Sequence, residues 1–553
     1  MSIYSIGLSG LNAAQNALNT TSNNISNVYT PGYNRELVIL GEGRGDGGVR
    51  VNDIQRQFNQ YVASQLNAAT SSSSALAAYQ GQVSQIDNLL ADREAGLAPL
   101  MQNFFSSLED LAGAPSDPAA RQGVLGTADT LTAQFRAFDG YLQDMQSGIN
   151  GQIRDEVTQI NNTTEQLATL NREIALARAR TGEAPNGLLN QRDQLVAELS
   201  ERMDVRLNIQ DGKTYNISLS NGQPLVAGTN HYRLEAMDAP NDPQRTVLGI
   251  RDSSGNLAAL PESTVQGGTL GGLMTFRAET LDKTQNQIGQ LAVSLAVGFN
   301  AQHAKGMDLD GEVGGDFFST GEPRVYGNAR NSSDISVGKA FDPVRIGELA
   351  ATDYAIRFEE GEPAITRKDD GQAVMLEAGD WDAGSNTLRF GGMTLTFASS
   401  PQDGDRFEVQ PVRHAAGDLK TEISKLDRIA AAQPANPEDD SAVWEFTGTG
   451  DNRNALALQG LQDQMLVADR ASLSQAYAGL VSDVGNRTNI VQVNLEARQG
   501  LTDQLKAVQQ SESGVNLDEE AANLLRYQQF YAANARVIDT ASTIFDTILG
   551  LRS

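Results

Sequence analysis

The sequence predicts a mixed α and β multidomain chain, with long coiled-coil-like terminal and rod helices and with β-rich domains inserted between them. Three observations predict it. Apolar residues alternate three and four apart at both ends of the chain, which is the heptad signature of a bundled helix. The same period runs through much of residues 57–203. Between the helical stretches it drops to two, and glycine and asparagine separate the runs.

Near the start, Leu11, Ala14, Leu18, Thr21, Ile25 and Val28 form a narrow apolar stripe that stops at Thr30-Pro31-Gly32-Tyr33. Proline ends it by lacking an amide donor and by pushing the preceding residue out of the helical region, and glycine then permits a turn. Six asparagines between Asn12 and Asn27 compete for backbone hydrogen bonds and lower helix propensity.

From about Gln57 to Met203 the pattern reads as long helices. Val124, Ala128, Leu131, Phe135, Phe138, Leu142 and Met145 alternate without a break, and Ile153, Val157, Ile160, Leu167, Leu170 and Ile174 share the face of a second helix. Gly148 to Gly151 is expected to link the two so that they fold back as an antiparallel bundle. Pro115-Ser116-Asp117-Pro118 and Gly182 to Gly187 mark turns.

After Asp204 the period is two. Val205, Leu207 and Ile209, then Tyr215, Ile217 and Leu219, are separated by Asp211-Gly212 and followed by Asn221-Gly222, as in hairpins. A helix is expected over Leu273 to His303, with Leu281, Ile288, Leu291, Leu295 and Phe299 on one face. From about Arg324 to Pro411 a glycine-punctuated stretch, including Thr387 to Phe397, reads as a separate β domain. Helical patterns are expected to resume at Leu419 and to continue from Leu461 through Val508.

The last stretch, Ser513 to Leu549, carries the longest seam: Leu517, Ala521, Leu524, Gln528, Tyr531, Ala535, Ile538, Ser542, Phe545 and Leu549. Asn516 stands where an N-cap belongs, and Asp518, Glu519 and Glu520 fill the first turn, where the free amides and the helix dipole favour carboxylates. The two ends are expected to be weakly helical or disordered in the free monomer and to order when neighbouring chains supply apolar surface.

This order divides the chain into a terminal helical assembly domain (1–56 and 509–553), a helical rod (57–203 and 415–508), a β-hairpin region plus helix (204–306) and an inserted β-rich outer domain (307–414). The chain goes out and comes back. Such nesting puts both termini at one end and the β domains at the other.

At 553 residues the chain is long enough for three or four domains, and its formal net charge is -27. That acidity opposes nucleic acid and anionic membrane surfaces as partners. There is no cysteine, so no disulfide framework and no thiolate chemistry. The first residues lack a basic segment and an unbroken apolar core, so a cleaved signal peptide is not expected, and no run reaches membrane-spanning length.

Candidates for chemistry are weak. His231, His303 and His414 lie far apart outside any metal motif, and a solvated or capping role is expected for them. Asp308, Asp310 and Glu312 sit in a fragment whose glycine comes too early for a calcium loop, and a turn explains it better. Gly41 to Gly48 lacks the lysine and hydroxyl of a phosphate loop, and its Arg44-Gly45-Asp46 is a tripeptide that chance supplies. Tyr527, Phe530 and Tyr531 read as packing residues on a heptad helix. No enzyme activity, cofactor or metal is expected.

SGLNAAQNALNTTSNNISNVYTPGYNR near the N-terminus and SGVNLDEEAANLLRYQQFYAANARVIDTASTIFDTIL near the C-terminus resemble the paired terminal motifs of bacterial flagellar axial proteins, the rod, hook and hook-associated proteins. Leu188 to Leu199 and Asp211 to Val226 resemble segments of the hook-associated branch, at the hook-filament junction. The resemblance covers both ends and the segments to about Gly306. It implies a flagellin-like nested arrangement and a structural junction adaptor between hook and filament. Implied partners are further copies of the chain in a ring or helical assembly, the hook protein, a second junction protein with the filament, and an export chaperone at the C-terminal helix. It also implies an extracellular location reached through the flagellum's type III export channel. Leu11, Leu18, Ile25, Leu517, Leu524, Tyr531, Ile538 and Phe545 are the expected assembly contacts. A rival reading is an extracellular adhesin or ligand-binding protein using the inserted β domain.

Overall fold

The computed structural model describes residues 3–43, 47–91, 96–182, 184–210, 214–251, 255–436 and 444–551. Its helices are α1 (Ile3–Ser26), α2 (Gln60–Leu90), α3 (Leu97–Gly113), α4 (Pro118–Thr181), α5 (Asn186–Arg202), α6 (Gly268–Phe276), α7 (Asp282–His303), α8 (Arg453–Gln459), α9 (Leu473–Ser513) and α10 (Leu517–Gly550). α1 packs on α10, α2 on α9 and α6, and α4 on α3 and α5.

The rod is built around α4. Asp117 caps it by accepting from the Ala119 amide, Pro118 occupies its first turn, and Gly182 ends it in a left-handed conformation at φ 85°. Its 64 residues make a helix about 96 Å long. The helix runs straight through Gly148 to Gly151, where a fold-back was expected. The reason is burial: Met145, Ile149 and Ile153 continue the buried stripe across the glycines, and no proline stops the amide ladder. Two interior glycines cost about 1 kcal/mol each, less than enclosing Ile149 supplies.

α2 and α9 lie side by side and share the rod core, α9 opening with a reciprocal cap in which Ser472 accepts from the Gln475 amide and Gln475 accepts from the Ser472 amide. Helix does not resume at Leu419, as expected from sequence. Leu419 and Leu461 are buried in the rod core, but the described residues between Leu419 and α8 are largely irregular, and among the described residues regular helix returns at α8 and α9. Apolar spacing there reflects loop residues that dip into a core.

The helix expected over Leu273 to His303 starts earlier, at Gly268, and contains one π turn at Arg277–Leu281 between α6 and α7. Gly268 has φ 60° and lies against the backbone of Arg202 and Met203, so no side chain fits there.

The period-two runs are strands. Arg206–Gln210 and Thr214–Ser218 pair antiparallel with Leu207 opposite Ile217, and Pro224–Ala227 and Asn230–His231 extend that sheet. Asp211-Gly212 and Arg44-Gly45-Asp46 lie outside the described residues. A three-stranded sheet follows (Leu234–Ala239, Asp242–Arg251, Leu257–Ala259). The β domain packs a five-stranded sheet against a four-stranded one around Phe358, Phe390, Phe397 and Phe407. Its first and last strands, Arg324–Gly327 and Arg406–Gln410, pair with each other, so the chain enters and leaves at one edge. A hairpin of Glu36–Glu42 and Val49–Arg56 follows α1 and packs on it, where sequence patterning suggested no strand.

Candidate assembly surface at the chain ends

α1 and α10 run antiparallel: Gly7 faces Ile538, Gly10 faces Asn534, and Asn24 reaches Glu520. The buried residues of α1 are Gly7, Gly10, Ala13, Ala14, Ala17, Thr20, Thr21 and Asn24, and of these Gly7, Gly10, Ala14, Ala17, Thr21 and Asn24 are spaced three and four apart. They form a heptad seam of small residues. A Cβ at Gly7 would stand 2.8 Å from Ile538 Cγ1, and one at Gly10 would overlap the Asn534 carboxamide, so the helices approach as closely as they do because glycine is there. Among the described residues of α10, only Glu520 is buried.

Glu520 is the centre of a polar clasp. Its carboxylate accepts from Arg35 Nε at 2.7 Å and from Asn24 Nδ2 at 3.1 Å, and Arg35 Nη1 also donates to Glu519 at 2.7 Å. The Asn24 side chain is fully used: Nδ2 also donates to the Glu36 carbonyl, and Oδ1 accepts from the Glu36 amide and from the Tyr33 hydroxyl at 2.8 Å. Burial, with Glu36 and Glu520 nearby, holds the Tyr33 hydroxyl well above its usual pKa, so it stays a donor. The Arg35 amide donates to the Ser513 carbonyl, which ties the loop after α1 to the end of α9. A second set of contacts anchors this loop to the rod, with Asn34 donating to Asn190 at 2.8 Å and Arg56 pairing with Asp193 at 2.5 Å.

The eight expected assembly residues divide. Leu11, Leu18, Ile25, Leu524 and Ile538 are half-buried along the edges of the seam, Ile538 directly against Gly7. Leu517, Tyr531 and Phe545 point outward, exposed by 44%, 37% and 62%. The seam shares Ala14 and Thr21 with the expected stripe on α1, but at its other positions the residue before each large one, Gly10, Ala17 and Asn24 in place of Leu11, Leu18 and Ile25, faces the partner. Sequence reading missed Gly7, Gly10, Asn24, Arg35 and Glu520. Their signals were the small residues at heptad spacing and three consecutive acids where capping needs one.

Both ends are helical in the structure and pack on each other. Yet the tip of the pair remains apolar and open. With Gly7 opposite Ile538, the last turns of α10 extend past Ile3, and Ile544, Phe545, Ile548 and Leu549 are exposed there beside Ile3, Tyr4 and Ile6.

The other candidates settle into structure. His303 and His414 are buried rather than solvated. His303 Nε2 accepts from the Ala430 amide, so Nδ1 donates to the Gly315 carbonyl at 2.7 Å, and burial pushes its pKa down to about 4. Asp308 accepts from the amides of Asp310 and Glu312, closing a turn. Among the described residues, no group of three His, Cys, Asp or Glu side chains is arranged to hold a metal, and no helix is long and apolar enough to cross a membrane.

Comparison with known proteins gives consistent matches. The flagellar hook-associated protein FlgK helical domain matches residues 83–318, and the flagellar hook-associated protein 1 D2-like domain matches residues 326–411. At the ends, the flagella basal body rod protein family matches residues 5–34, and the flagellar basal body rod FlgEFG protein C-terminal family matches residues 509–551. The chain is 41% identical over 560 residues to flagellar hook-associated protein 1 of Salmonella typhimurium, and 40% identical over 561 residues to that of Escherichia coli, covering 100% of both chains in each case. It is also similar to the solved flagellar hook junction protein FlgK from Burkholderia pseudomallei, with TM-score 0.75 and 29% identity over 81% of this chain and 99% of that one. By this full-length similarity, the chain belongs to the flagellar hook-associated protein 1 family.

Proposed function

We propose that the chain is a structural subunit of the bacterial flagellum that joins hook to filament and assembles through its terminal helices. The observation that carries this reading is the contrast inside α10: a 34-residue helix of which one described residue is buried, with Leu517, Tyr531, Phe545, Ile548 and Leu549 open to solvent. Each such side chain contributes about 1.5–3 kcal/mol when enclosed, and copies around a tube repeat that contribution. Family membership supports the junction role.

In this reading the partners are further copies of the chain in a ring or helical assembly, the hook protein on one side, and a second junction protein and the filament on the other. An export chaperone covers the C-terminal helix before the chain leaves through the flagellum's own type III channel. Residues 1–56 and 509–553 form the assembly domain at the inside of the tube, the helical rod lies outside it, and the β domain is outermost. The reading assigns no catalysis and no cofactor.

Phe545→Asp tests it. The variant is expected to fold as the parent does, because Phe545 is exposed, yet to fail to incorporate at hook tips. Ile538→Asp is expected to fail as well, by separating α10 from Gly7. Normal incorporation of the Phe545→Asp chain refutes the proposal.

A further inference from the structure

The β domain has its own core, and the rod has another. Between them lies a small apolar cluster of Val293, Leu349, Val412 and Ala415. Against this small apolar contact stands a buried chain of alternating charges. Arg413, on the segment that returns from the β domain, is almost wholly buried. Its Nη2 donates to Asp353, which immediately precedes the strand Tyr354–Glu359 of the β domain, and its Nη1 lies 3.3 Å from Asp282 at the first residue of α7. Asp282 also accepts from Arg245 Nη1 at 2.6 Å, Arg245 pairs with Glu262 at 2.8 Å, and Glu262 pairs with Arg277 of the π turn at 2.9 Å. Arg277 closes the chain on the rod by donating to the Thr246 carbonyl and to Asn150 of α4.

Further polar links cross this boundary, among them Gln290 of α7 donating to the Leu349 carbonyl. Gln410 donates to Asp242, Asn241 to Glu408, and the Ala329 amide to the Pro240 carbonyl. The set is incompletely satisfied, since Arg413 Nε and Nη1, Asp282 Oδ1 and Asp353 Oδ1 are buried without a hydrogen-bond partner in the protein, so the Arg413–Asp282 contact is an ion pair and not a hydrogen bond. Buried ion pairs of this kind add little net stability over apolar packing, but they fix one geometry among several. The return segment also lies hard on α7, where a Cβ at Gly289 would overlap the Val412 carbonyl oxygen.

We infer that Arg413 pins an ionic joint which holds the β domain in one orientation on the rod, and that removing the pin leaves two folded bodies free to swing about the two chain crossings that flank the β domain, before Arg324 and after Gln410. The β domain is thus a separately folded head whose direction is set by charge. This inference is independent of the junction role, because the joint operates within one monomer.

The chain has no cysteine, so two labels can be placed cleanly, one at Val344→Cys on the β domain and one at Ser147→Cys on the exposed face of α4. Double electron–electron resonance on the monomer then reads the distance between the bodies. The parent is expected to give one narrow distribution. The double variant Arg413→Met, Asp353→Asn, which leaves neither member of the pair as an unpaired charge, is expected to give a distribution roughly twofold broader while circular dichroism stays unchanged. An unchanged narrow distribution overturns the inference. So does equal broadening in Val412→Ala, because apolar packing would then hold the joint. Should the double variant not fold, Asp353→Asn carries the same test with the same two outcomes.

Discussion

The two helical regions of this chain use the same heptad spacing for opposite ends. Along α4 the seam is large: Leu131, Phe135, Phe138 and Ile149 are turned inward and enclosed by the chain itself. Along α1 the seam is small, Gly7, Gly10, Ala14 and Ala17, and of the large residues of its partner α10 Leu524 and Ile538 are half-buried against it while Leu517, Leu525, Tyr531 and Phe545 stay exposed. The rod therefore encloses its apolar surface within the chain, whereas the terminal pair leaves much of its own exposed, the surface proposed above for assembly. Residue size along a seam, more than the period, distinguishes a helix that is finished within the monomer from one that is not.

This contrast can be broken or sharpened in four ways. Phe135→Ala should cost about 3–5 kcal/mol of rod stability by opening a cavity, whereas Phe545→Ala should change monomer stability by less than about 0.5 kcal/mol. Chemical denaturation followed by circular dichroism separates the two.

Acid should act on the rod next. Because the folded pKa of His303 is lowered to about 4, its contribution is complete above the unfolded value near 6.5 and is lost as pH falls through 6.5 toward 4, by about 3 kcal/mol. His414, lowered to about 3, acts in the same direction. Asp139 and Asp353, both pushed up to about 6 by burial, act in the opposite one. The informative quantity is the difference in pH dependence of the melting temperature between the parent and His303→Gln, which should be flatter.

Glu520→Ala should cost about 1–3 kcal/mol locally, leaving Arg35 and Asn24 without their buried partner. Faster amide exchange in residues 3–33 and 517–550 with an unchanged rod is the expected reading. The smallest effect is a gain: Gly148→Ala and Gly151→Ala should each stabilise α4 by up to about 1 kcal/mol, since nothing lies within 4 Å of a Cβ at either position. A loss there would mean that the glycines mark a bend the rod needs.

Much of this architecture was legible in the sequence, and the failures have physical causes. The cap at Asn516, the turns at Pro115 to Pro118 and at Gly182, and the antiparallel strands carrying Leu207 and Ile217 follow from local rules that tertiary packing did not overrule. Gly148 to Gly151 misled because a glycine penalty of about 1 kcal/mol is smaller than the burial on either side of it. Leu419 misled because a loop residue can be as buried as a helical one. At the chain ends the apolar stripe was found but placed on the leucines, since hydrophobicity points to large residues while close helix approach selects glycine and alanine. The clasp was hidden for a different reason: Glu520 reads as one of three first-turn acids, and only the fold brings Arg35 and Asn24 to it.

Hydrogen exchange on the purified monomer, followed in residues 3–33 and 517–550 against residues 121–203, tests the central claim most directly. The account predicts that both terminal helices exchange orders of magnitude faster than the rod, and that they gain protection when the chain is incorporated at hook tips. Terminal helices protected as strongly as the rod in the free monomer would contradict it.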